Sequence, residues 1–582
     1  MKRRHYVGLI DLVRIGTNGS IQLGINALVA VMMIFTASSD LSSQSRNADA
    51  VVPSVVFADV TEQSGITFVH ENGAVGDKWY PEIFGGGVVV LDVDSDGWSD
   101  LLFINSGDWS PGDVASSHGL YRNNGDGSFI DIVSGSGFDT SAFYGLGGTV
   151  ADYDNDGRDD VFVTTADGGR LFHNEGNNRF VDVTESSGIT NPHFAVSAAW
   201  LDYDLDGLVD LFIGNYVAWS PELEVPCSEQ GVRGYCGPDA YAPLPPALYR
   251  NVGNGRFEDV TAPAGLDAPT DKAMGVVVFD YNQDGWSDLF VGSDRVPAKL
   301  YRNTGNGGFV DQGLQAGVAL SELGIARGNM GADAADYDRS GKPDLVVGNF
   351  SYEMLGLYHN EDGRTFVDRA PRSEVGRSSY LSTTWAVFFL DYDLDGFPDI
   401  FAANGANDES QVMRDSRLQI TQVPLLLWNR GNGTFANVTT GLGESFNQPI
   451  MGRGAAYTDF DGDGDLDIVV ATLAGRPRLF RNDGGNQHNW LRVRLSGSPS
   501  NRSGLGAVVR VTSESGVQWQ TVHSGSSYAS QSELTLTFGL ATDAQVLRLE
   551  VDWPSGALQT FEDVGRNQMV VIDEVEGLAS GP

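Results

Sequence analysis

The chain has little of what nucleic-acid surfaces and many active sites require. Its 582 residues include only two cysteines and eight histidines, and its 37 lysines and arginines stand against 77 aspartates and glutamates. The resulting formal net charge of −40 argues against nucleic acid or an anionic membrane as a partner, because binding to phosphates requires clustered cationic side chains. Cations are the natural counterpart of such a chain.

Sequence signatures of common enzymes are also missing. The chain has no H-E-x-x-H, G-x-S-x-G, G-x-x-x-x-G-K or C-x-x-C, the patterns of zinc proteases, serine hydrolases, phosphate-binding loops and dithiol sites. Its histidines are scattered, and His173 and His359 replace an arginine that recurs in related segments. We therefore predict that the protein is not an enzyme. A glycosidase-type pair of carboxylates, which has no comparable signature, stays open.

No apolar run is long enough to span a bilayer comfortably. The run at residues 25–37 is ~13 residues long, against about 20 for a membrane-spanning helix. Basic residues precede it and small residues follow it. This pattern predicts a signal peptide or an uncleaved anchor over 1–39, followed by a linker over 40–54. We expect the mature chain to have no membrane span and to be secreted, periplasmic or at the cell surface.

The two cysteines, Cys227 and Cys236, lie close together in the sequence. In an exported chain such a pair predicts a disulfide rather than a metal site, because nothing nearby supplies two further soft ligands. Two free, buried thiols are the alternative.

What the chain does contain is an acidic nonamer in seven copies, each with a glycine at position 6. Aspartates recur at positions 1, 3, 5 and 9, with few departures. We name the copies loops 1 to 7: DVDSDGWSD from Asp92, DYDNDGRDD from Asp152, DYDLDGLVD from Asp202, DYNQDGWSD from Asp280, DYDRSGKPD from Asp336, DYDLDGFPD from Asp391 and DFDGDGDLD from Asp459.

The surroundings of each loop predict four strands per unit. A small or apolar segment precedes the loop and a strand-like run follows it, and six units continue with a signature such as LYRNNGDGSF, whose Asn-Gly or Asp-Gly turn suits a hairpin. Seven such units predict an all-β protein with a seven-bladed β-propeller over 55–482. The seventh unit lacks a fourth strand, whereas FADVT at 57–61 belongs to no other unit. We expect this segment to complete the last blade.

The loops themselves predict up to seven calcium sites. Side-chain oxygens at positions 1, 3, 5 and 9 and the carbonyl at position 7 can surround one hard cation, and Gly at position 6 permits the bend. Calcium accepts such flexible oxygen sets more readily than magnesium does. The ligands predicted are Asp92, Asp94, Asp96, Trp98 and Asp100; Asp152, Asp154, Asp156, Arg158 and Asp160; Asp202, Asp204, Asp206, Leu208 and Asp210; Asp280, Asn282, Asp284, Trp286 and Asp288; Asp336, Asp338, Ser340, Lys342 and Asp344; Asp391, Asp393, Asp395, Phe397 and Asp399; and Asp459, Asp461, Asp463, Asp465 and Asp467.

Two loops depart from the pattern. Loop 4 has Asn282 at position 3, and loop 5 has Ser340 at position 5 with Lys342 nearby. We expect these two loops to bind calcium more weakly than the others, and loop 5 most weakly of all.

The seven units resemble the VCBS/FG-GAP repeats of integrin α-subunits and of many bacterial surface proteins. From residue 488 the segments NWLRVRLSGSPSNRSGLGAVVRV, GSSYASQSELTLTFGL and LEVDWPSG resemble the ASPIC/UnbV domain. A propeller followed by that domain is the layout of the cartilage acidic protein family and its bacterial relatives. The resemblance covers nearly all of the mature chain.

The C-terminal part, 488–575, contains about seven short alternating strands and predicts a small β-sandwich, followed by a tail over 576–582. Family motif residues fall at Asn501, Arg502, Trp553, Pro554 and Gly556, where they shape turns or bind a ligand. The chain has TVHSG, with His523, where relatives tend to have an Arg-Glu pair, which puts in doubt any site that the family has there.

Ligands are not identified by the sequence. We expect the acidic loops on one face of the ring, and two long links, 215–246 and 404–424, on the other, where they either recognise a ligand or cap the channel. Trp109, Tyr216, Trp219 and Tyr235 are aromatic candidates. The sequence favours a binding or adhesion module for an unknown protein or glycan. A polysaccharide-active enzyme or biosynthetic accessory protein on the same scaffold is the alternative.

Overall fold

The computed structural model describes residues 52–107, 117–139, 143–229, 231–407 and 409–580. The predicted leader, most of the predicted linker, and Trp109 lie outside these residues. The described residues belong to one compact unit, Ser45–Pro582. None of their helices combines the length and apolar character needed to cross a membrane.

Seven four-stranded antiparallel sheets form the predicted seven-bladed propeller in the described part of the chain. In order from the inner to the outer strand, blade 1 is Val88–Leu91, Asp100–Phe103, Gly119–Asn123 and Phe129–Asp131; blade 2 is Gly145–Ala151, Asp160–Thr165, Gly168–Asn174 and Phe180–Asp182; blade 3 is Ala195–Leu201, Asp210–Asn215, Ala247–Asn251 and Phe257–Asp259; blade 4 is Ala273–Phe279, Asp288–Ser293, Lys299–Asn303 and Phe309–Asp311; blade 5 is Ala332–Ala335, Asp344–Val347, Gly356–Asn360 and Phe366–Asp368; blade 6 is Thr384–Leu390, Asp399–Asn404, Leu425–Asn429 and Phe435–Asn437; and blade 7 is Gly452–Thr458, Asp467–Thr472, Arg478–Asp483 and Val56–Asp59.

The last blade is completed by the N-terminal strand, as predicted. Val56–Asp59 pairs antiparallel with Arg478–Asp483, and Phe57 stands opposite Asn482. The Phe57 side chain is fully buried, and its ring lies 5.3 Å from that of Phe446. The ring is therefore closed by strand pairing between the two ends of the propeller.

An asparagine at the end of each third strand joins neighbouring blades. Its side-chain amide donates to the carbonyl at position 2 of the preceding blade's loop. In blade 1, for example, Asn123 donates to Phe460 of blade 7 at 2.8 Å. The equivalent donors in blades 2 to 7 are Asn174, Asn251, Asn303, Asn360, Asn429 and Asn482.

The C-terminal domain consists of two four-stranded sheets. Seven strands lie at the predicted segments, and an eighth, beyond residue 575, adds to one sheet edge. The strands are Asn489–Ser496, Val508–Ser513, Gly516–Thr521, Leu536–Ala541, Val546–Asp552, Leu558–Val564, Gln568–Asp573 and Gly577–Ser580.

The remaining elements are short and lie in the links. The helices of the described residues are Thr184–Ser187, Gly313–Ala316, Glu374–Ser379 and Glu409–Arg414, with 3-10 turns at Tyr80–Ile83, Pro221–Leu223, Pro238–Ala240, Ala370–Arg372, Thr439–Gly441 and Gly485–Gln487 and a hairpin of Cys227–Glu229 and Val232–Gly234.

Candidate metal-binding loops and the face that they form

The seven acidic loops share one backbone geometry that their own aspartates hold in place. In loop 1, Asp92 accepts the backbone N–H of Asp96 and of Gly97, both at 3.0 Å. The same pair of bonds recurs in the other six loops. Gly97 has φ of 94°, the left-handed conformation for which position 6 requires glycine.

The aspartate at position 9 is fully buried in every loop. Asp100 is 0% exposed. One of its oxygens accepts the N–H of Val93 at 2.8 Å and the other accepts the N–H of Asn123 at 2.7 Å. These carboxylates therefore tie the loop to the third strand, a structural role that the sequence did not indicate.

Carboxylates at positions 1, 3 and 5 converge. In loops 1 to 3, one oxygen from each of the three aspartates lies within 4.8 Å of the other two. Buried Oδ1 atoms of Asp94, Asp204 and Asp461, all at position 3, have no hydrogen-bond partner among the described residues. Buried oxygens normally have partners, so this donor set fits a hard cation such as calcium.

Burial raises the pKa of several loop carboxyl groups, and neighbouring aspartates raise it further. The pKa of Asp152 rises to about 7, that of Asp202 to about 7 and that of Asp461 to about 6. At position 9 the pKa of Asp288 rises to about 9, again chiefly through burial. These loops hold their full negative charge at neutral pH only at a cost that a bound cation would offset.

The residue before each third-strand asparagine faces its own loop. Arg122 lies 3.6 Å from Asp94, and His359 lies 3.3 Å from Asp338. His173 lies 3.1 Å from Asp160, and a hydrogen bond to that carboxylate raises the pKa of His173. The histidines that seemed isolated in the sequence thus belong to loops 2 and 5. Their place in the recurring L-Y-R-N signature was the available signal.

Loops 4 and 5 show how the two departures are accommodated. Asn282 donates to Asp284 Oδ2 at 3.0 Å and accepts the Asp284 N–H at 2.9 Å. In loop 5, Ser340 accepts the backbone N–H of Lys342. Both loops keep the common turn, and their weaker affinity stays a prediction.

The C-terminal domain packs onto the face formed by the loops. Its side chains or backbone hydrogen-bond to loops 1, 2, 5, 6 and 7. The bonds join Arg494 to Asp92, Arg502 to Asn155, Trp519 to Asp336, Ala541 to Leu394 and Arg492 to Asp459. The loops are therefore also docking points within the molecule.

A segment of the C-terminal domain, residues 524–533, fills the centre of the ring; we call it the plug. Gln531 bridges in parallel to Val89, and its side chain both accepts from and donates to the backbone of Val150 at 3.0 Å. Tyr528 is fully buried and donates to the Phe84 carbonyl at 3.0 Å. The plug could not be predicted from the sequence, because GSSYASQSE resembles an ordinary serine-rich loop.

The opposite face is capped by the first long link. Tyr216 is fully buried and hydrogen-bonds to Tyr80 and Asp294, both at 2.7 Å. Trp219 donates to Glu224 at 2.6 Å. Cys227 and Cys236 are joined by a disulfide in this link. Two of the aromatic candidates, Tyr216 and Trp219, thus pack inside the molecule, and Tyr235 is half-buried and donates to Glu82.

The family motif residues of the C-terminal domain mostly shape turns. Asn501 is fully buried, and its side chain bonds to both backbone groups of Leu505 at 2.8 Å. Trp553 is 4% exposed and donates to Gln559.

Comparisons with known proteins agree with this architecture. A family model described as FG-GAP-like repeat matches residues 92–163, 152–213, 243–291, 280–347, 336–402, 421–470 and 459–509. A second, described as ASPIC and UnbV, matches residues 497–579. Cartilage acidic protein 1 of Mus musculus is 29% identical over 503 residues, covering 81% of this chain and 71% of the relative. The Homo sapiens protein is 28% identical over 504 residues, covering 81% and 69%.

Two solved structures are similar to part of the chain at low identity. A lectin from Agrocybe aegerita that recognises terminal N-acetylglucosamine is 16% identical, with a TM-score of 0.38, over 67% of this chain and 86% of the lectin. A rhamnogalacturonan lyase from Bacillus licheniformis is 14% identical, with a TM-score of 0.34, over 68% of this chain and 71% of the lyase. At this level of similarity they carry no argument about function.

Proposed function

Because the chain belongs to the FG-GAP-like repeat family, we propose that it is a secreted or cell-surface calcium-binding propeller that acts as a binding or adhesion module for a protein or glycan. The observation that carries the calcium part is the convergence of partnerless, buried carboxylate oxygens in loops of one geometry. Calcium would supply the positive charge that these aspartates lack.

The residues that would hold calcium are the aspartates at positions 1, 3, 5 and 9, with the position-7 carbonyl. With dissociation constants of about 0.1 mM and free calcium of about 1 mM, each site would add about 1.4 kcal/mol to the free energy of unfolding, or about 10 kcal/mol for seven sites. That sum is comparable with the whole stability of a typical domain. The calcium would therefore be structural rather than catalytic.

Two observations support a location outside the cytoplasm, in which the protein is secreted, periplasmic or attached to the cell surface. The disulfide in the first long link is typical of oxidising compartments. The relatives are named for cartilage, a tissue that consists largely of extracellular matrix.

A protein or glycan bound by this module would lie away from the loop face, because the C-terminal domain covers most of that face. The first long link exposes apolar side chains there: Leu223 is 55% exposed and Val232 is 51% exposed. We place the recognition surface on this link and propose no enzymatic activity for it. A glycan array and a lyase assay on the purified protein separate the candidates: binding without turnover supports the module, and release of unsaturated sugars supports the enzyme.

Thermal melting with and without a calcium chelator, at constant ionic strength, tests the metal. We expect a large fall in the melting temperature on chelation, and an unchanged curve would contradict the proposal. Asp94→Asn gives loop 1 the residue that loop 4 carries naturally, and calorimetry should show weaker calcium binding at one site per chain. Asp126→Asn, which removes an exposed carboxylate from a neighbouring turn, is the matched control and should leave calcium binding unchanged.

A further inference from the structure

A cavity of about 500 Å³ lies between the loop face and the C-terminal domain, over blades 3 to 6. On the propeller side its walls include Val278, Phe389 and Tyr457, and on the other side they include Trp519 and Trp553. Small-molecule sites commonly have volumes of about 300 to 1,000 Å³. The cavity thus has the size and the mixed polar and aromatic lining of a ligand site.

Asp333 is the residue in this wall that breaks the repeat. It lies on the inner strand of blade 5, paired with Val346. The structurally equivalent positions in the other blades hold uncharged residues: Val89, Thr149, Ala199, Val277, Phe388 and Ala456. Asp333 is only 3% exposed. A buried carboxylate is costly where an apolar side chain would pack, which points to a role other than packing.

Only one of the two oxygens of the Asp333 carboxylate has a hydrogen-bond partner among the described residues. Its Oδ2 accepts the N–H of Phe389 at 2.8 Å, whereas its buried Oδ1 has no hydrogen-bond partner in the described part of the chain. His523, also in the wall, places Nε2 3.9 Å from that Oδ1, and its own Nδ1 likewise lacks a hydrogen bond. Two polar groups without partners therefore meet at one side of the cavity.

The other charged groups of the cavity already have partners. The four loop aspartates in its wall accept backbone N–H groups of their own loops; they are Asp202, Asp280, Asp336 and Asp391. Arg510 is paired with Asp552, and Asp336 accepts the indole N–H of Trp519 at 2.8 Å. Burial lowers the pKa of His523 to about 4, so this ring is neutral at pH 7 and gives Asp333 no counter-charge. No described group in the cavity wall therefore supplies the positive charge that an ionised Asp333 requires, and a bound cation would favour the ionised carboxylate.

We propose that this cavity binds a small organic cation, a primary amine whose ammonium group donates to Asp333 Oδ1 and lies beside His523. The aromatic rings in the walls favour an organic cation over a bare ion, because ring faces attract ammonium groups. Their apolar edges suit a short methylene chain.

Calorimetric titration of the full chain with putrescine, in excess calcium, tests the site. We expect one putrescine per chain and at least tenfold weaker binding by Asp333→Asn, whose amide oxygen can still accept the Phe389 N–H. Asp294→Asn is the matched control. Asp294 is also a buried aspartate with one partnerless oxygen, but it lies at the capped face, and its replacement should leave putrescine binding unchanged.

Butane-1,4-diol has the chain length of putrescine without its positive charges, so it tests whether binding depends on charge or on shape. We expect it to bind at least tenfold more weakly than putrescine. Three results would overturn the proposal. They are a diol that binds as tightly as putrescine, an Asp333→Asn variant that binds putrescine as tightly as the unchanged protein, and the absence of any heat of binding with putrescine at millimolar concentration. Because calcium is in excess, loss of putrescine binding cannot come from empty loops, and failure of the loops is measured separately by the chelation experiment.

Discussion

The two sides of the contact between propeller and C-terminal domain differ in how their aspartates are neutralised. Over blades 7, 1 and 2 a cavity of about 640 Å³ is lined by Arg492 and Arg494, which pair with Asp459 at 2.8 Å and with Asp92 at 3.3 Å. Over blades 3 to 6 the cavity's arginine is held by Asp552, and no described residue gives Asp333 a positive partner. The domain thus supplies cations to one half of the loop face and leaves an unpaired acid in the other.

This difference suggests that the two halves of the contact between propeller and C-terminal domain have different roles. The arginine side has the pairing expected of a permanent contact between domains. The Asp333 side retains a buried charge that costs stability, as groups kept for binding commonly do. Four substitutions or titrations test this comparison.

Replacing Arg492 should have the largest effect. Arg492→Met leaves the buried carboxylate of Glu533, which Arg492 also contacts, without its cation, and we expect the free energy of unfolding to fall by about 3–5 kcal/mol. Chemical denaturation measures the loss. Adding Glu533→Gln should restore part of the stability, and no recovery in the double variant would show that the loss is one of packing.

Replacing Gln531 of the plug should have an intermediate effect. Gln531→Ala leaves the buried N–H and carbonyl of Val150 without partners, so we expect a loss of about 1–3 kcal/mol. Hydrogen exchange at the Val150 amide should become faster. Gln520→Ala is the control, because Gln520 bonds to Thr537 within the C-terminal domain, and its removal should leave Val150 exchange unchanged.

The pH dependence of stability should report the charge of Asp333. Burial raises its pKa to about 7, so the folded protein binds this proton more tightly than the unfolded chain does. Relative to Asp333→Asn, the free energy of unfolding should rise as pH falls from 7 towards 4, by up to about 1.4 kcal/mol per unit. The facing groups His523 and Tyr457 are neutral over the upper part of this window, because burial lowers the pKa of His523 to about 4 and raises that of Tyr457. Denaturation in excess calcium at several pH values measures the difference, and a constant difference would contradict the assignment.

Replacing Arg494 should have the smallest effect. Its side chain is 40% exposed, so solvent and salt screen its attraction to Asp92. Arg494→Ala should change the free energy of unfolding by less than about 1 kcal/mol, with the change vanishing at high salt. A loss as large as that of Arg492→Met would mean that burial does not distinguish the two arginines.

The repeats made the ring predictable, and the departures from the repeats could have revealed more. The unassigned FADVT segment was enough to predict that Phe57 pairs with blade 7. Asp333 could have been found by aligning the seven inner strands, since aspartate replaces valine, threonine, alanine or phenylalanine there.

The contact between the domains could not be predicted from the sequence. Arg492 and Arg494 alternate along a strand in the way that solvent-facing side chains do. The plug has neither hydrophobic periodicity nor turn residues that specify its partners, and Gln531 finds Val89 and Val150 only because the ring places those strands at its centre. Sequence patterns report local structure, whereas these contacts depend on the assembled ring.

The pairing of Val56 with Asp483 also affects the order in which the molecule can form. A chain made from its N-terminus exposes Val56–Asp59 long before the partner strand exists, so an unpaired sheet edge has to stay soluble during synthesis of all seven blades. The plug emerges later still, after the ring is able to close. Assembly therefore ends with two late events, strand capture and insertion of the plug, and a chain truncated before residue 483 would be left with an open, adhesive edge.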